Sequence, residues 1–215
     1  EAMTTSAIAA MTNLARGIFR ADKLRLTKKL NRHSWDLAGE HIHDFFGGHV
    51  LIVGYGSVGR KLAKICKAFD MKVSAVNRSK VPDNNVNQFY NLNNVTSVLK
   101  DIDFVVNLLP LSNETKQFFS EDFFREMKAT SFFINIGRGE TVVEEDLIFA
   151  LNNKIISAAA LDVFFKEPLS LDSPLWDVDN VIITPHVAGY TNQFWPKQTN
   201  LFIKLLSNHL GNPIK

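Results

Sequence analysis

Apolar residues at helical spacing open the chain. Ile8, Met11, Leu14 or Ala15, and Ile18 share one face, with Arg16, Arg20, Asp22 and Lys23 between them. This pattern predicts one long amphipathic helix over residues 2 to 30. A helix of that length without a starting cap is expected to pack on a partner subunit or a second domain. From residue 50 the pattern changes to short, continuous apolar runs between helix-forming segments. Strands are expected at Val50 to Val53, Lys72 to Val76, Phe104 to Leu108, Ser131 to Ile136, Ser157 to Leu161 and Val181 to Thr184. Helices are expected at Arg60 to Phe69, at Glu121 to Met127 behind a Ser120 N-cap, and at Glu144 to Leu151. The last helix, Thr191 to Leu210, puts Leu201, Phe202, Leu205 and Leu210 on one face; Gly211 stops it and Pro213 prevents a restart. Pro82 to Asn94 is too rich in asparagine to assign. Continuous apolar strands alternating with helices imply a parallel sheet covered on both faces, the α/β class with a Rossmann-type doubly wound sheet.

The segment Asn31 to Gly48 reads as a loose connector, with Trp35, Gly39 and the Gly47-Gly48 pair. It and the next residue carry His33, His41, His43 and His49. An H-x-H pair invites a metal, but no carboxylate or cysteine set completes a ligand shell, so a solvated connector and no metal are expected.

One stretch carries more chemistry than the pattern alone: Val53-Gly54-Tyr55-Gly56-Ser57-Val58-Gly59, placed between a strand and a helix. In a strand–turn–helix unit, Gly54 allows the tight turn and Gly56 lets the backbone approach a pyrophosphate. Gly59 lets the helix pack close to the strand, and the helix N-terminus offers free N–H groups to the phosphates. A second strand follows at Met71 to Val76, as a dinucleotide-binding unit requires.

Composition narrows the class further. The chain has 215 residues, 46% of them hydrophobic, enough for a substantial core. Its formal net charge is +2, with acidic and basic residues intermixed, so no nucleic-acid footprint is expected. Cys66 is the only cysteine, which excludes an internal disulfide and fits a reducing, cytoplasmic setting. No apolar run reaches membrane-spanning length and no signal-peptide pattern is present, so no membrane partner is expected. The first residue is Glu1, already within the helical pattern, so residues upstream are expected to be absent.

In an open parallel sheet, ligands bind beyond the carboxyl ends of the strands. Those ends carry Leu109-Pro110, Gly137-Arg138-Gly139, Asp162 with Lys166-Glu167-Pro168 behind it, and Pro185-His186. Arg138 can hold a carboxylate by two parallel charge-assisted hydrogen bonds. His186 can exchange a proton with a hydroxyl or carbonyl oxygen near neutral pH. A carboxylate on its other ring nitrogen, for which Glu167 is the candidate, would fix the tautomer and favour the imidazolium. Separately, the three could be a structural arginine, a capping glutamate and a core histidine. Their gathering at one edge favours a site.

These motifs resemble the D-isomer-specific 2-hydroxyacid dehydrogenases, over essentially the whole chain. The resemblance rests on Val53 to Arg60, on Leu109-Pro110-Leu111 with Glu114-Thr115, and on Ile134-Asn135-Ile136-Gly137-Arg138-Gly139. It continues through Leu161-Asp162-Val163-Phe164, Glu167-Pro168-Leu169, Ser173-Pro174-Leu175-Trp176 and Asn180 to Gly189. It implies that Arg138 binds the substrate carboxylate, that His186 is the acid/base and that Glu167 is its partner. Asp162 would hold the nicotinamide carboxamide, and Pro110 and Thr115 would line the cofactor cleft. With the glycine turn, Ser57, Val58, Ile136, Gly137, His186, Ala188 and Gly189 complete the expected cofactor contacts. Formate dehydrogenases pair their histidine with glutamine, and adenosylhomocysteine hydrolases lack this Arg–Glu–His set.

The resemblance also sets the expected organisation. Residues 1–30 would be an interdomain and dimerisation helix, residues 31–190 the dinucleotide-binding domain, and residues 191–215 a helix packing toward an N-terminal substrate domain absent here. A homodimer is expected from the exposed apolar face of the first helix. NAD users of the family carry an acidic residue at the end of the second strand, where this chain has Asn77, then Arg78, Ser79 and Lys80. A neutral side chain beside positive charge removes repulsion of a 2′-phosphate, so NADP(H) is expected over NAD(H). The expected activity is reduction of a small 2-oxo acid, glyoxylate or hydroxypyruvate, to the D-2-hydroxy acid. Rival readings are a non-catalytic, cofactor-sensing scaffold like the corepressors that resemble this family, and a fragment that binds cofactor without turnover.

Overall fold

Successive residues of a strand face opposite sides of its sheet, so a strand buried on both faces must be apolar throughout. The computed structural model describes residues 1–29, 31, 42–78 and 82–211, and it shows this arrangement. Its strands are β1 (His49–Val53), β2 (Lys72–Val76), β3 (Gln88–Tyr90), β4 (Phe104–Asn107), β5 (Phe132–Asn135), β6 (Ala158–Leu161) and β7 (Val181–Ile183). They form one seven-stranded, all-parallel sheet in the order β3-β2-β1-β4-β5-β6-β7. Val50, Ile52, Phe104, Val106, Phe132 and Ile134 enter the core on one face. Leu51, Val53, Val105, Phe133 and Leu161 enter the core on the other.

Among the described residues the α-helices are α1 (Ala2–Ala15), α2 (Ile18–Leu26), α3 (Ser57–Ala68), α4 (Glu121–Arg125), α5 (Glu144–Asn152) and α6 (Phe194–Leu210). α1 and α3 cover the first face, and α4 and α5 the second. The six expected strands lie within one residue of their predicted ends. The chain reverses direction across the sheet at β1, between β2 and β4, and a cleft opens there beyond the carboxyl ends.

Several expectations are corrected. The single helix over residues 2 to 30 is two helices, because Gly17 takes a left-handed conformation (φ 62°) that ends one and starts the other. The apolar periodicity runs across this break and hides it. The apolar face of α1 is not an exposed surface for a partner: Ala7, Met11, Leu14 and Ala15 are buried against the chain's own α3, β5 and β6. The unassigned asparagine-rich region contains β3, a short edge strand held on β2. Ser120 occupies the cap position of α4 but makes no side-chain cap bond; the Glu121 N–H donates to Asp146 instead.

The histidine segment is not uniformly solvated either. His49 is buried at the start of β1, its Nε2 2.9 Å from Ser74 Oγ, and the His43 ring stands edge-on to Phe132. His33, His41 and Trp35 lie outside the described residues, as do Ser79, Lys80 and Pro213. Among the described residues no helix is long and apolar enough to cross a membrane, and no His, Cys, Asp and Glu side chains group as metal ligands. Cys66 is buried in α3, and desolvation pushes its thiol up to about 12, leaving it protonated and inert.

Candidate functional site

The glycine turn is built for close approach. Gly54 has φ 107°, and a side chain there would meet the Leu108 backbone at 2.8 Å. A β-carbon on Gly59 would meet the Gly54 carbonyl oxygen at 2.7 Å, so α3 sits directly on the turn. Gly56 has open space around its missing side chain, and no side chain caps the α3 N-terminus. The first-turn N–H groups therefore face the cleft, a cradle that fits an anionic pyrophosphate. Buried Tyr55, within the turn, donates from its hydroxyl to Asp83 Oδ2 at 2.7 Å, tying the turn to the segment after β2.

The cleft has a volume of about 870 Å³. Gly54, Gly56, Asn77, Arg78, Pro110 and Thr115 line it, all expected from the sequence. Tyr55, Asn91, Leu92, Leu109, Ser112 and Phe118 line it as well, and sequence reasoning missed them. Their common signal is position: each lies in the glycine turn or in the segment that follows β3 or β4. Thr115 lines the cleft with its hydroxyl already engaged, donating to the Pro110 carbonyl at 2.7 Å and accepting the Ser112 N–H at 2.8 Å. It shapes the loop that forms the wall.

A buried polar network sets where β4 and β5 leave the sheet. Asn107 Nδ2 donates to Asn135 Oδ1 (2.9 Å) and to Thr141 Oγ1 (2.8 Å), while Asn107 Oδ1 accepts the Leu109 N–H (2.9 Å). Asn135 Oδ1 also accepts the Gly137 N–H (3.1 Å), and Thr141 Oγ1 donates to the Arg138 carbonyl (2.6 Å). Every member has a partner, so the loops bearing Pro110 and Arg138 are held in one geometry. The Arg138 side chain reaches out from this anchored backbone, with Nη1 2.6 Å from the Gly137 carbonyl.

Glu167 and His186 meet at this edge, with His186 Nδ1 2.6 Å from Glu167 Oε2. The other carboxylate oxygen of Glu167 accepts the Phe164 N–H at 3.0 Å. A β-carbon on Gly139 would lie 1.8 Å from the Phe164 carbonyl oxygen, so the loop carrying Glu167 is pressed against the backbone next to Arg138. Desolvation pushes the Glu167 carboxyl up. The hydrogen bonds from His186 and Phe164, with the charges of His186 and Arg138, outweigh it and hold the group below its usual value. Glu167 is thus hydrogen-bonded to His186 and close enough to Arg138 to respond to its charge.

His186 sits in the left-handed backbone region, at φ 55°, which non-glycine residues seldom adopt. Asp162 holds it there. The His186 N–H donates to the Asp162 carbonyl (2.8 Å), and the Asp162 carboxylate accepts from Thr184 Oγ1 (2.5 Å), Val187 N (2.9 Å) and Ala188 N (2.8 Å). Asp162 is buried, and its oxygens are largely committed to the segment that presents the histidine. Ser57 and Val58 form the first turn of α3, whereas Ile136 and Ala188 pack into the core beside α1. Gly137 is buried against Leu109, and Gly189 is exposed beside Met3.

The sequence and fold also match known proteins. Residues 8–188 match the model of the D-isomer specific 2-hydroxyacid dehydrogenase, NAD binding domain. A probable 2-ketogluconate reductase of Dictyostelium discoideum is 43% identical over 143 residues, which is 65% of this chain and 42% of that protein. Glyoxylate/hydroxypyruvate reductase B of Escherichia coli is 41% identical over 145 residues, 66% of this chain and 44% of that protein. The chain spans about half the length of such relatives, or less. An NADPH-dependent glyoxylate/hydroxypyruvate reductase of Sinorhizobium meliloti, solved with NADP and sulfate, superposes with a TM-score of 0.80 at 28% identity, covering all of this chain and 66% of that one. With its glycine turn, parallel sheet and matched span, this chain belongs to the D-isomer specific 2-hydroxyacid dehydrogenase family, as its NAD binding domain.

Proposed function

We propose that the chain is the cofactor-binding and proton-transfer part of a reductase that converts a small 2-oxo acid, glyoxylate or hydroxypyruvate, into the D-2-hydroxy acid. The carrying observation is the Arg138, Glu167 and His186 group at the same sheet edge as the glycine cradle. Relatives described as glyoxylate/hydroxypyruvate reductases support the substrate class. A bound nicotinamide supplies the hydride.

The protein's own residues do the rest. Arg138 pairs with the substrate carboxylate through its planar donor fork and turns the keto group toward the histidine. Glu167, ionised, accepts the Nδ1 proton of His186, which leaves Nε2 to deliver a proton to the forming alkoxide. Asp162 keeps the histidine segment in its strained conformation, and its remaining lone pair is available to an amide donor such as the nicotinamide carboxamide.

For the cofactor we infer NADP(H) over NAD(H), because Asn77 and Arg78 line the cleft at the end of β2 where an acidic residue would repel a 2′-phosphate. Exposed Trp195, Phe202 and Leu205 on α6 suit packing toward a substrate domain, and exposed Ile18 and Leu26 on α2 suit a homodimer contact. An inert thiol is consistent with work in the cytoplasm. A screen of 2-oxo acids with NADPH and NADH, using the protein that carries this chain, tests the proposal. Turnover of glyoxylate or hydroxypyruvate with NADPH is the expected result. Cofactor binding without turnover of any 2-oxo acid would overturn the activity, and a strong NADH preference would overturn the cofactor assignment.

A further inference from the structure

A turn rich in glycine gains close approach to a ligand and loses the side chains that would hold its shape. Tyr55, between Gly54 and Gly56, supplies that hold. Its ring is buried edge-on to Phe89 of β3, at 5.2 Å between centroids, and its hydroxyl donates to Asp83 Oδ2 at 2.7 Å. The backbone adds two bonds: the N–H groups of Gly54 (3.2 Å) and Tyr55 (3.1 Å) both donate to the Val76 carbonyl. Burial and the bond to Asp83 push the phenol well above its ordinary value, so it stays a donor across the neutral range.

Asp83 is a braced acceptor. Its Oδ1 accepts the Asn85 N–H (2.9 Å) and Asn85 Nδ2 (2.8 Å), and its carbonyl accepts the Val86 N–H (3.0 Å). Just beyond, the Asn87 N–H donates to the Val73 carbonyl of β2 (2.8 Å), and Asn87 Oδ1 accepts from the Val73 N–H and from Lys67 Nζ of α3 (both 2.9 Å). The Asn85 N–H and the Tyr55 hydroxyl, aided by the Arg60 charge, hold the Asp83 carboxyl below its usual value, as an anion. A closed circuit results: the chain runs from Val76 through Asn77 and Arg78 to Asp83, and Tyr55 joins Asp83 back to Val76. Asn77 and Arg78, within that circuit, line the same cleft as Gly54 and Gly56.

We propose that Tyr55 is a positioning residue for the dinucleotide: its bond to Asp83 holds the glycine cradle and the Asn77–Arg78 wall at the separation one ligand must span. The proposal rests on the reading of the cleft as a nucleotide site and holds for either cofactor. A pyrophosphate sits on the cradle and the adenosine ribose at the end of β2, so both contacts belong to the same half of the ligand. With the circuit closed, that half meets two walls already in place. With it open, binding must first order them, and affinity falls by that cost. Glu167 and His186 lie outside the circuit, so the chemical step does not depend on it.

Tyr55→Phe keeps the ring against Phe89 and removes only the hydroxyl, while Asp83→Ala removes the acceptor. Both variants and their combination are made in the protein that carries this chain. Each is titrated with NADPH, NADH and ADP well below its thermal midpoint. Each single substitution is expected to weaken every one of these ligands by about tenfold. The combined variant should bind no worse than the weaker single one, because both remove the same bond. The KM for the cofactor should rise, with kcat little moved. A bond with only a structural role would lower the thermal midpoint and leave the affinities unchanged, and that result overturns the proposal. So does a loss that spares ADP, or losses that add in the combined variant. A wild type that binds none of these ligands overturns the nucleotide reading of the cleft and the positioning role together.

Discussion

Asn107 and Asn135 lie side by side at the ends of neighbouring strands, joined by a buried hydrogen bond of 2.9 Å from Nδ2 to Oδ1. Through Thr141 and the Gly137 N–H, this pair fixes the backbone from which Arg138 projects. Asn107→Leu should therefore act at two levels. It strips partners from the Leu109 N–H and from Asn135, at a cost of about 1–3 kcal/mol for each buried group left unsatisfied. It also frees the Arg138 segment, so the KM for the 2-oxo acid should rise more than the Kd for the cofactor. Denaturant melts and steady-state kinetics measure the two effects. A variant with unchanged KM would show that Arg138 does not depend on this network.

Glu167→Gln keeps the size of the side chain and removes its charge. The depressed folded-state value means the carboxylate is ionised, and its contact with His186 is complete, above the ordinary glutamate range. That contribution is lost only as the pH falls through the folded-state value. The variant should thus lose turnover throughout the neutral range, by about a hundredfold, with cofactor affinity little changed. A pH–rate profile from wild type and variant measures this; superimposable profiles would remove Glu167 from the mechanism.

His49 should make the fold sensitive to mild acid. Desolvation and then the Lys72 charge lower its affinity for a proton, against the opposing pull of Asp103 and Asp101. The unfolded chain then binds a proton at His49 more readily than the native one, so stability rises with pH across that interval. The neutral-histidine contribution is complete above the ordinary value of 6.5 and is lost as pH falls through the lower folded-state value. The thermal midpoint should drop between about pH 7 and about pH 5. His49→Gln, which can still bond Ser74, should flatten that drop, and an unchanged pH profile would count against the assignment.

Asn77→Asp tests charge at the ribose end of the cleft. A carboxylate there would repel a 2′-phosphate and accept a 2′-hydroxyl. The ratio of NADPH to NADH affinity should fall by about tenfold, as read by nucleotide fluorescence titration. An unchanged ratio would mean that recognition of the 2′-position lies elsewhere.

The central strands were legible because burial on both faces demands continuous apolar residues, which leaves little freedom in where each run begins and ends. β3 was not, since an edge strand of three residues carries an exposed Gln88 and is flanked by asparagines that favour turns. The break at Gly17 was hidden by apolar spacing that continues across it. Arg138, Glu167 and His186 could be found because topology aims strand ends at one edge, and their residue types announce their chemistry. The Asn107–Asn135–Thr141 network and the Tyr55–Asp83 bond could not, because either link joins residues far apart in sequence with no shared pattern.

The docking of α1 has a consequence for the order of events during synthesis. Met11 and Leu14 find their burial partly against β5 and β6, strands made long after the first helix leaves the ribosome. Until Ala158 to Leu161 has been translated, that helix can pack on α3 but lacks part of the surface that buries it in the finished domain.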